Sequence, residues 1–586
     1  MRNLTSAIAL IGCVWSTGAV SADRTDLAID EFTGGTESVG IVENKAFVAP
    51  RDAKPATAPF TGTIALSEVA MTTDPGTFKS NDILGKDPQV FPAAVLSFVT
   101  VDDDLVPSTQ DVQRYGSTAN GTSFWDIIVQ PGKVWSEDGD DGWNRASFPF
   151  SLMHSIEGET HNGVAMFLYK DGEVSDLRFQ VVSQTAPFYV EDYFTAAGLA
   201  DASLSEGSVD NEEEIAAKHR QAMDDAEKLA DWQALVEKFG EESVDGFNGD
   251  INSEEIVVDG LGVDGTFYLK SCPTVAGELP YCDRQRFGVW SVTKAAANTV
   301  AMLRLAEKYG PGVFDEKIAE YVNEAEGLPG WDQATFGDLL NMASGMGYGS
   351  QDEKPYNITD PFLDPYMAWY EAPTVEGKLD VLLEGAEPYP WGNGEVARYR
   401  DEDMFLLGEA MSRYVRAHDE AYHTIWDLVT EEVYEPIGIH YAPINKTIEA
   451  ASEDDQPLMA FGFYPTISDM VKIAKLFQND GRVGDKQILN AEKLADIAPS
   501  EAPIGFPTGD PQRPYYLKAF WRAHMDSRNG CSFYYPTMVG WGANYVALFP
   551  NDVFAIRLAN DWDDDAGANR MDSLELTADR VGNLCE

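Results

Sequence analysis

Ser291 and Lys294 are two residues whose types and spacing are suited to covalent chemistry. They stand three positions apart, and a run of good helix formers from Ala295 to Tyr309 follows them. Residues i and i+3 share one face of a helix, so the hydroxyl and the amine would be within reach of each other. A serine becomes a nucleophile when a base takes its proton, and a lysine with a lowered pKa can be that base. Taken alone, the tetrapeptide favours a helix-capping serine and a solvated lysine over a catalytic pair.

The surroundings of this pair carry more information than the pair itself. Phe287-Gly288-Val289-Trp290 precedes the serine, and an alanine-rich helix follows it. Together with this segment, the chain over roughly 255–580 resembles the serine hydrolase superfamily of class C β-lactamases, DD-peptidases, family VIII esterases and 6-aminohexanoate-dimer hydrolases. Three later segments resemble further motifs of that superfamily in the same order: Thr335 to Met346, Tyr399 to Gly408, and Gly462 to Met470.

The resemblance implies a role for each matched residue. Ser291 would be the nucleophile that forms an acyl-enzyme, and Lys294 would hold it and help to deprotonate it. Tyr399 would lie opposite, share the proton and pass it to the leaving group. A phenol is a poor base at neutral pH unless a neighbouring ammonium lowers its pKa, as Lys294 could. Asp401 stands where the superfamily usually has Asn or another small polar residue, and it would either bind Lys294 or cap a helix.

The third motif of the superfamily, Lys-Thr-Gly or His-x-Gly on a strand, has a loose counterpart in Met538-Val539-Gly540, with Trp541-Gly542-Ala543 as a rival placement. In the first placement the backbone N–H groups of Ser291 and Trp541 would form the oxyanion hole. Neither placement has a basic residue. In β-lactamases and DD-peptidases that cation helps to hold the substrate's carboxylate, so its absence favours neutral or cationic esters and amides over a small anionic β-lactam.

Charge narrows the possible partners. The 586 residues include 97 acidic and 42 basic residues, for a net charge of −55. Such a surface repels nucleic-acid phosphates and anionic membranes, so we expect no nucleic-acid partner. Without a later run of 18 apolar residues, we expect no integral membrane segment. The expected partner is a small-molecule or oligomeric ester or amide substrate, and the oligomeric state is left open.

The N-terminus has the pattern of an export signal. Arg2 precedes the mostly apolar stretch from Leu4 to Val14, and Val20-Ser21-Ala22 provides a cleavage site after Ala22. Two alternatives are a lipoprotein signal that would anchor the chain at Cys13, and an ordinary buried helix. The expected location is therefore periplasmic or secreted.

Export changes the interpretation of the remaining cysteines. Cys272, Cys282, Cys531 and Cys585 form an even set, which suggests disulfides in an oxidising compartment. The short loop favours Cys272 with Cys282, which leaves Cys531 with Cys585. The alternative is four free buried thiols.

Composition and patterning predict an α+β chain in several parts. Short β-type runs, with a hairpin of Gly163 to Tyr169 and Leu177 to Ser183 around Asp171-Gly172, indicate an N-terminal all-β domain. A β-lactamase/transpeptidase-like domain follows, an antiparallel sheet flanked by helices with a helical subdomain. A solvated helix over 211–239 would connect them. The expected parts are a signal peptide (1–22), an irregular leader (23–58), a β-rich accessory domain (59–205), a helical connector (206–250) and the serine hydrolase domain (251–586).

The predicted function is an exported serine hydrolase that cleaves an ester or an amide by two-step acyl transfer to water, with no cofactor and no metal. The possible ligand pair of His154 and His161 lacks a clear third partner, and the acidic runs 138–141 and 561–565 do not follow a calcium-loop pattern. Two alternatives stay open: a β-lactamase or DD-peptidase of the same superfamily, and a non-catalytic binding protein that keeps the fold.

Overall fold

The computed structural model of the chain describes residues 27–33, 39–80, 85–118, 120–206, 208–348, 364–561 and 571–585. The predicted signal peptide, Cys13 and residues 562–565 of the second acidic run lie outside these ranges. The architecture is α+β, with a β-rich N-terminal region followed by a sheet flanked by helices, as predicted.

Among the described residues, twelve strands form the first sheet, in the order β14-β1-β5-β6-β8-β9-β10-β12-β13-β3 with β7 on β9 and β11 on β10. The strands of this region are β1 Thr61–Leu66, β2 Val69–Ala70, β3 Thr72–Asp74, β4 Val90–Phe91, β5 Ala94–Val101, β6 Asp104–Pro107, β7 Asp126–Val129, β8 Gly132–Ser136, β9 Asn144–Met153, β10 His161–Lys170, β11 Glu173–Val174, β12 Leu177–Gln184, β13 Thr195–Ala200 and β14 Ala202–Glu206.

Strand β10 is buried on both faces because different parts of the chain cover it. Ala165 and Phe167 face the main core, whereas Val164 and Met166 pack in a second cluster with residues of the N-terminal segment, among them Phe32. The predicted hairpin is confirmed, since β10 pairs antiparallel with β12. Asp171 adopts a φ of 48° and Gly172 a φ of 83°, the left-handed conformation that the turn requires.

In the described part of the chain, nine strands form the second sheet, in the order β15-β17-β16-β27-β26-β25-β24-β23-β22. The remaining strands are β15 Ala230–Asp231, β16 Ile256–Val263, β17 Thr266–Ser271, β18 Met346–Gly347, β19 Glu387–Pro388, β20 Arg482–Val483, β21 Lys486–Gln487, β22 Phe506–Pro507, β23 Tyr515–Leu517, β24 Phe520–Asp526, β25 Ser532–Gly540, β26 Asn544–Leu548 and β27 Phe554–Ala559.

Helices cover both faces of this sheet. The α-helices of the described ranges are α1 Glu212–Asp224, α2 Trp232–Phe239, α3 Glu241–Val244, α4 Val300–Tyr309, α5 Phe336–Leu340, α6 Asp364–Glu371, α7 Val375–Gly385, α8 Asp401–His418, α9 Ile425–Val429, α10 Ile467–Gln478, α11 Ala491–Ala495 and α12 Asp572–Val581. Of these, α1 packs against β5 and β6 of the first sheet. Strand β26 shows why two layers are needed. Val546 and Leu548 face the core that contains α4, while Tyr545 and Ala547 face the cluster that contains α2 and α12.

The predicted single helix over 211–239 is wrong in one respect, because it is two helices. Residues 225–231 separate α1 from α2, and within them β15 pairs in parallel with β17. The side chain of Asp231 accepts a hydrogen bond from the Gln233 N–H and caps the new helix. Leu235 is buried in the cluster beneath the second sheet. The charged sequence predicted one solvated helix, but packing against this sheet divides it into two.

The four cysteines lie in two bonded pairs, Cys272 with Cys282 and Cys531 with Cys585. Across the described ranges, no helix has the length and apolar character needed to cross a bilayer. The same ranges contain no cluster of His, Cys, Asp and Glu side chains arranged to hold a metal ion.

A buried group of titratable residues lies between the first sheet and the helical part of the chain. Glu157, Glu159 and His161 are fully buried, and Glu159 Oε1 lies 3.0 Å from His161 Nε2. Burial raises the pKa of Glu159 to about 8 and raises the pKa of Glu157 well above its usual value. Burial also lowers the pKa of His161 to about 4. Both carboxyl groups therefore favour the protonated form and the imidazole the neutral form.

This arrangement makes stability depend on pH in a defined direction. Between the ordinary carboxyl pKa of 4.5 and about 8, the folded chain holds a proton on Glu159 that the unfolded chain has lost. Stability from this group is therefore complete below 4.5 and is lost as the pH rises through 8. We predict that Glu159→Gln gives a smaller decline in the free energy of unfolding between pH 5 and pH 8 than the wild type, measured by urea denaturation.

The exposed Glu173→Gln serves as the matched control and should keep the wild-type slope. Parallel stability curves for the wild type and Glu159→Gln would contradict the assigned proton.

Candidate functional site

Ser291 and Lys294 meet at the start of the helix that leads into α4. Lys294 Nζ lies 2.5 Å from Ser291 Oγ, and the lysine is only 1% exposed. Residues Lys294–Thr299 form a π-helical stretch before α4, where the sequence predicts an ordinary α-helix. π-Helical turns recur at functional sites. Buried side chains of this stretch bond outside the helix, as Asn298 does with the Met459 carbonyl.

Asp401 is paired with Lys294. Lys294 Nζ lies 2.7 Å from Asp401 Oδ1 and donates a hydrogen bond of 2.9 Å to the Ala460 carbonyl. The hydroxyl of Tyr366 donates to Asp401 Oδ2 at 2.8 Å. Asp401 is the first residue of α8, whose N-cap is Arg400. Of the two alternatives for Asp401, the structure therefore supports the contact with Lys294 and not the role of helix N-cap.

The pKa of Lys294 is raised, contrary to the expectation of a lowered lysine pKa. Burial acts to lower it, but the negative charge of Asp401 and the nearby Tyr399 outweigh burial. A buried ammonium with a carboxylate at 2.7 Å is favoured over the neutral amine. The resting site therefore holds a charged Lys294.

Tyr399 lies beside the same two residues. Lys294 Nζ lies 5.0 Å from the centre of the phenol ring, and the ring stacks on Trp521 with centroids 5.5 Å apart. Burial raises the pKa of Tyr399 and the charge of Asp401 raises it further, whereas the Lys294 ammonium and the nearby Ser291 hydroxyl lower it. The ammonium therefore acts in the expected direction, but burial and Asp401 outweigh it and the pKa of Tyr399 is raised.

The end of β25 passes close to the backbone of Ser291. A Cβ atom built on Gly540 would lie 2.2 Å from the Val289 carbonyl oxygen and 3.3 Å from the Ser291 nitrogen, so only glycine permits this approach. Asn544 fixes the following turn by donating from Nδ2 to the Trp541 carbonyl at 2.5 Å. The Trp541 side chain is 42% exposed. This geometry favours the placement of the third motif at Met538-Val539-Gly540.

Sequence reasoning missed three contributors to the site. Tyr366 and the Ala460 carbonyl complete the contacts of Asp401 and Lys294, and Trp521 supports Tyr399. Ala460 lies two residues before the matched segment Gly462 to Met470, so the sequence did indicate that this part of the chain lies near the site. Tyr366 and Trp521 lie outside every matched segment. His154 and His161 are buried in the first sheet region, outside this cleft.

Comparison with known proteins gives a family match and several structural matches. A family model described as beta-lactamase matches residues 250–578. No curated protein sequence matches the chain. A family VIII carboxylesterase structure is 16% identical, with a TM-score of 0.39, and the match covers 62% of this chain and 97% of that one. A class C β-lactamase is 14% identical, with a TM-score of 0.37 and coverage of 64% and 97%. A D-stereospecific amidohydrolase from Streptomyces sp. is 14% identical, with a TM-score of 0.37 and coverage of 57% and 96%.

The close approach at Gly540 predicts a clear cost for a side chain there. Gly540→Ala would drive a methyl group into the Val289 carbonyl, so we expect the free energy of unfolding to fall by roughly 1–3 kcal/mol, as for other overpacked sites. Thermal or urea unfolding measures this loss.

Gly312→Ala is the matched control, since a Cβ at Gly312 would have no heavy atom within 4 Å. Equal stability of the two variants would contradict the tight contact between β25 and the Ser291 backbone.

Proposed function

Because the chain belongs to the β-lactamase family over residues 250–578, we propose that it is an exported serine hydrolase that cleaves an ester or amide bond through an acyl-enzyme on Ser291. One observation supports this most strongly: the Ser291 hydroxyl, the Lys294 ammonium and the Tyr399 phenol lie close together. A chain that kept only the fold would have no need to hold a buried ammonium 2.5 Å from a serine hydroxyl.

The Ser291 hydroxyl can pass its proton to Lys294, which in turn lies beside Asp401. Lys294 Nζ lies 2.5 Å from Ser291 Oγ, and Asp401 Oδ1 lies 2.7 Å from the same nitrogen. When Lys294 passes a proton to Asp401, the neutral amine can accept the serine proton while Oγ bonds to the carbonyl carbon. Tyr399 then gives its proton to the leaving group and regains one through Lys294. Water repeats the cycle in reverse and releases the acid.

The developing oxyanion needs two hydrogen-bond donors that do not move during the reaction. The backbone N–H groups of Ser291 and Trp541 are the proposed donors, supported by the contact between Gly540 and the Ser291 nitrogen. The proposed chemistry needs no cofactor and no metal.

An ester or amide substrate without a carboxylate fits this site better than a β-lactam. Met538 occupies the motif position that is basic in β-lactamases and DD-peptidases, and its side chain is buried. The net charge of −55 further disfavours the capture of small anions. The two disulfides support export, because such bonds persist in oxidising compartments.

Ser291→Ala tests the nucleophile. We predict that it lowers the hydrolysis of p-nitrophenyl esters and aminoacyl anilides by about 10³-fold or more, because no acyl-enzyme can form. The exposed Ser253→Ala is the control and should retain wild-type rates.

Full activity of Ser291→Ala would refute the assignment. Labelling of Ser291 by a fluorescent penicillin would favour a β-lactamase or DD-peptidase instead. A folded wild type that forms no adduct with a fluorophosphonate would favour a non-catalytic binding protein.

Asp401→Asn tests the proton path. The Asp401 charge raises the pKa of both Lys294 and Tyr399, so its removal lowers both, whichever of them accepts the serine proton. A base with a lower pKa is free at lower pH. Because Asn cannot accept the Lys294 proton, we predict that Asp401→Asn lowers kcat, and that the rising limb of its remaining kcat/KM profile moves to lower pH, measured with a p-nitrophenyl ester whose reactivity is constant over the range. An unmoved limb, or one at higher pH, would contradict the role of Asp401.

A further inference from the structure

The loop between β12 and β13 of the first sheet contacts the backbone segments around Ser291 and Trp541 through Ala186. The indole Nε1 of Trp290 donates a hydrogen bond of 2.9 Å to the Ala186 carbonyl. A Cβ built on Gly542 would lie 2.1 Å from Ala186 Cβ, so the methyl group of Ala186 rests directly against Gly542. One residue of the first sheet region therefore contacts both the residue before Ser291 and the residue after Trp541.

Trp290 needs such support. Its φ is 48°, a left-handed conformation that is uncommon for a bulky residue and persists only where the surroundings enforce it. The side chain is only 7% exposed. A Cβ on Gly158 would lie 2.9 Å from the Trp290 ring, so this second segment of the first sheet region covers the indole. The conformation of Trp290 sets the direction of the N–H of Ser291, the next residue.

The loop is itself firmly held. Glu157 Oε1 accepts a hydrogen bond of 2.9 Å from the Tyr189 N–H. At the start of the loop, the Thr185 N–H donates to the Thr160 carbonyl at 3.0 Å. Ala186 is fully buried. The contacts to Trp290 and Gly542 thus come from a fixed part of the first sheet region.

We infer that Ala186 is a positioning residue that holds the two backbone segments of the oxyanion hole at their working separation. The inference rests on the proposed function. It assigns the N-terminal sheet region a role in maintaining the geometry of the active site. The two donors come from segments about 250 residues apart in sequence, and each segment touches the same loop. Donor geometry acts on the transition state and not on the bound ester, so a displaced donor lowers kcat while KM changes little.

Gly542→Ala and its compensating partner test this role. We expect Gly542→Ala to reduce kcat for a p-nitrophenyl ester about 10²-fold at nearly constant KM, because its methyl group collides with Ala186 and displaces Trp541. The affinity for a boronic acid, which forms a tetrahedral adduct, should fall in parallel. Adding Ala186→Gly removes the collision and leaves contacts of 3.3 Å to the Ala559 carbonyl and 3.4 Å to the residue 186 Cα. The φ of 82° at residue 542, which alanine rarely adopts, remains, so we expect a partial recovery. The double variant should regain at least a tenth of the wild-type kcat.

Trp290→Phe provides a second, milder variant that keeps an aromatic ring but loses the indole donor. It should lower kcat about tenfold with KM retained. Ser151→Ala is the matched control, because it removes a buried hydrogen bond of 2.9 Å to the Arg286 carbonyl across the same boundary. It should lower thermal stability and leave kcat within twofold of the wild type. Equal losses in Ser151→Ala and Gly542→Ala, or no rescue by Ala186→Gly, would overturn the inference.

Hydrogen exchange separates this inference from the proposed function. Exchange of the amides in peptides covering 288–293 and 540–544 should accelerate in Gly542→Ala and return toward wild type in the double variant. If the wild type hydrolyses no ester and binds no fluorophosphonate, the proposed function fails, and this exchange pattern alone still supports Ala186 as the support of both segments. Unchanged exchange in Gly542→Ala overturns the inference whether or not the protein is an enzyme.

Discussion

The buried ammonium of Lys294 is the constraint on which the rest of the site depends. An ammonium that is 1% exposed is destabilising unless charges and hydrogen-bond acceptors replace the water it has lost. Its partners are Asp401, the Ala460 carbonyl and Ser291 Oγ, which come from three distant parts of the chain. Satisfying one cation therefore fixes α8, the segment before α10 and the start of the nucleophile helix relative to one another.

A second constraint acts through close backbone approach. Gly540 brings β25 against Val289 and Ser291, and Gly542 brings the next turn against Ala186. Gly288 does the same on the other side, since a Cβ there would lie 2.4 Å from the Gly158 carbonyl. Side chains at these positions would push apart the segments that surround Ser291. The ion pair sets where the charged groups meet, and the glycines set how closely the backbones around them can pack.

The local sequence was sufficient where the determining interactions are local. The hairpin around Asp171-Gly172 depends on the turn residues, and the i, i+3 spacing brings Ser291 to Lys294. The resemblance to a superfamily added Tyr399 and Asp401, which no local rule would have selected. The signal peptide, the part boundaries and the catalytic roles stay predictions.

The features that could not be predicted depend on contacts between distant segments. The pKa of Lys294 is raised by a carboxylate more than 100 residues away in sequence, and the pKa of Tyr399 is raised mainly by burial, which depends on packing between distant segments. The break between α1 and α2 reflects the pairing of β15 with β17. Ala186 belongs to the first sheet region, whereas Trp290 and Gly542 belong to the part of the chain that contains the second sheet. No sequence pattern within either part predicts this contact.

The charged residues near Ser291 are relevant to the proposed choice of substrate. Lys294 and Asp401 neutralise each other, so together they present no net positive charge to an approaching anion. Arg513 stacks over Trp521, with its guanidinium carbon 4.7 Å from the ring centre, but its Nε is 3.0 Å from Asp510 Oδ2. The carboxylate of Asp510 therefore offsets the positive charge of this guanidinium. These ion pairs, like the apolar residue at Met538, support the proposed preference for uncharged substrates.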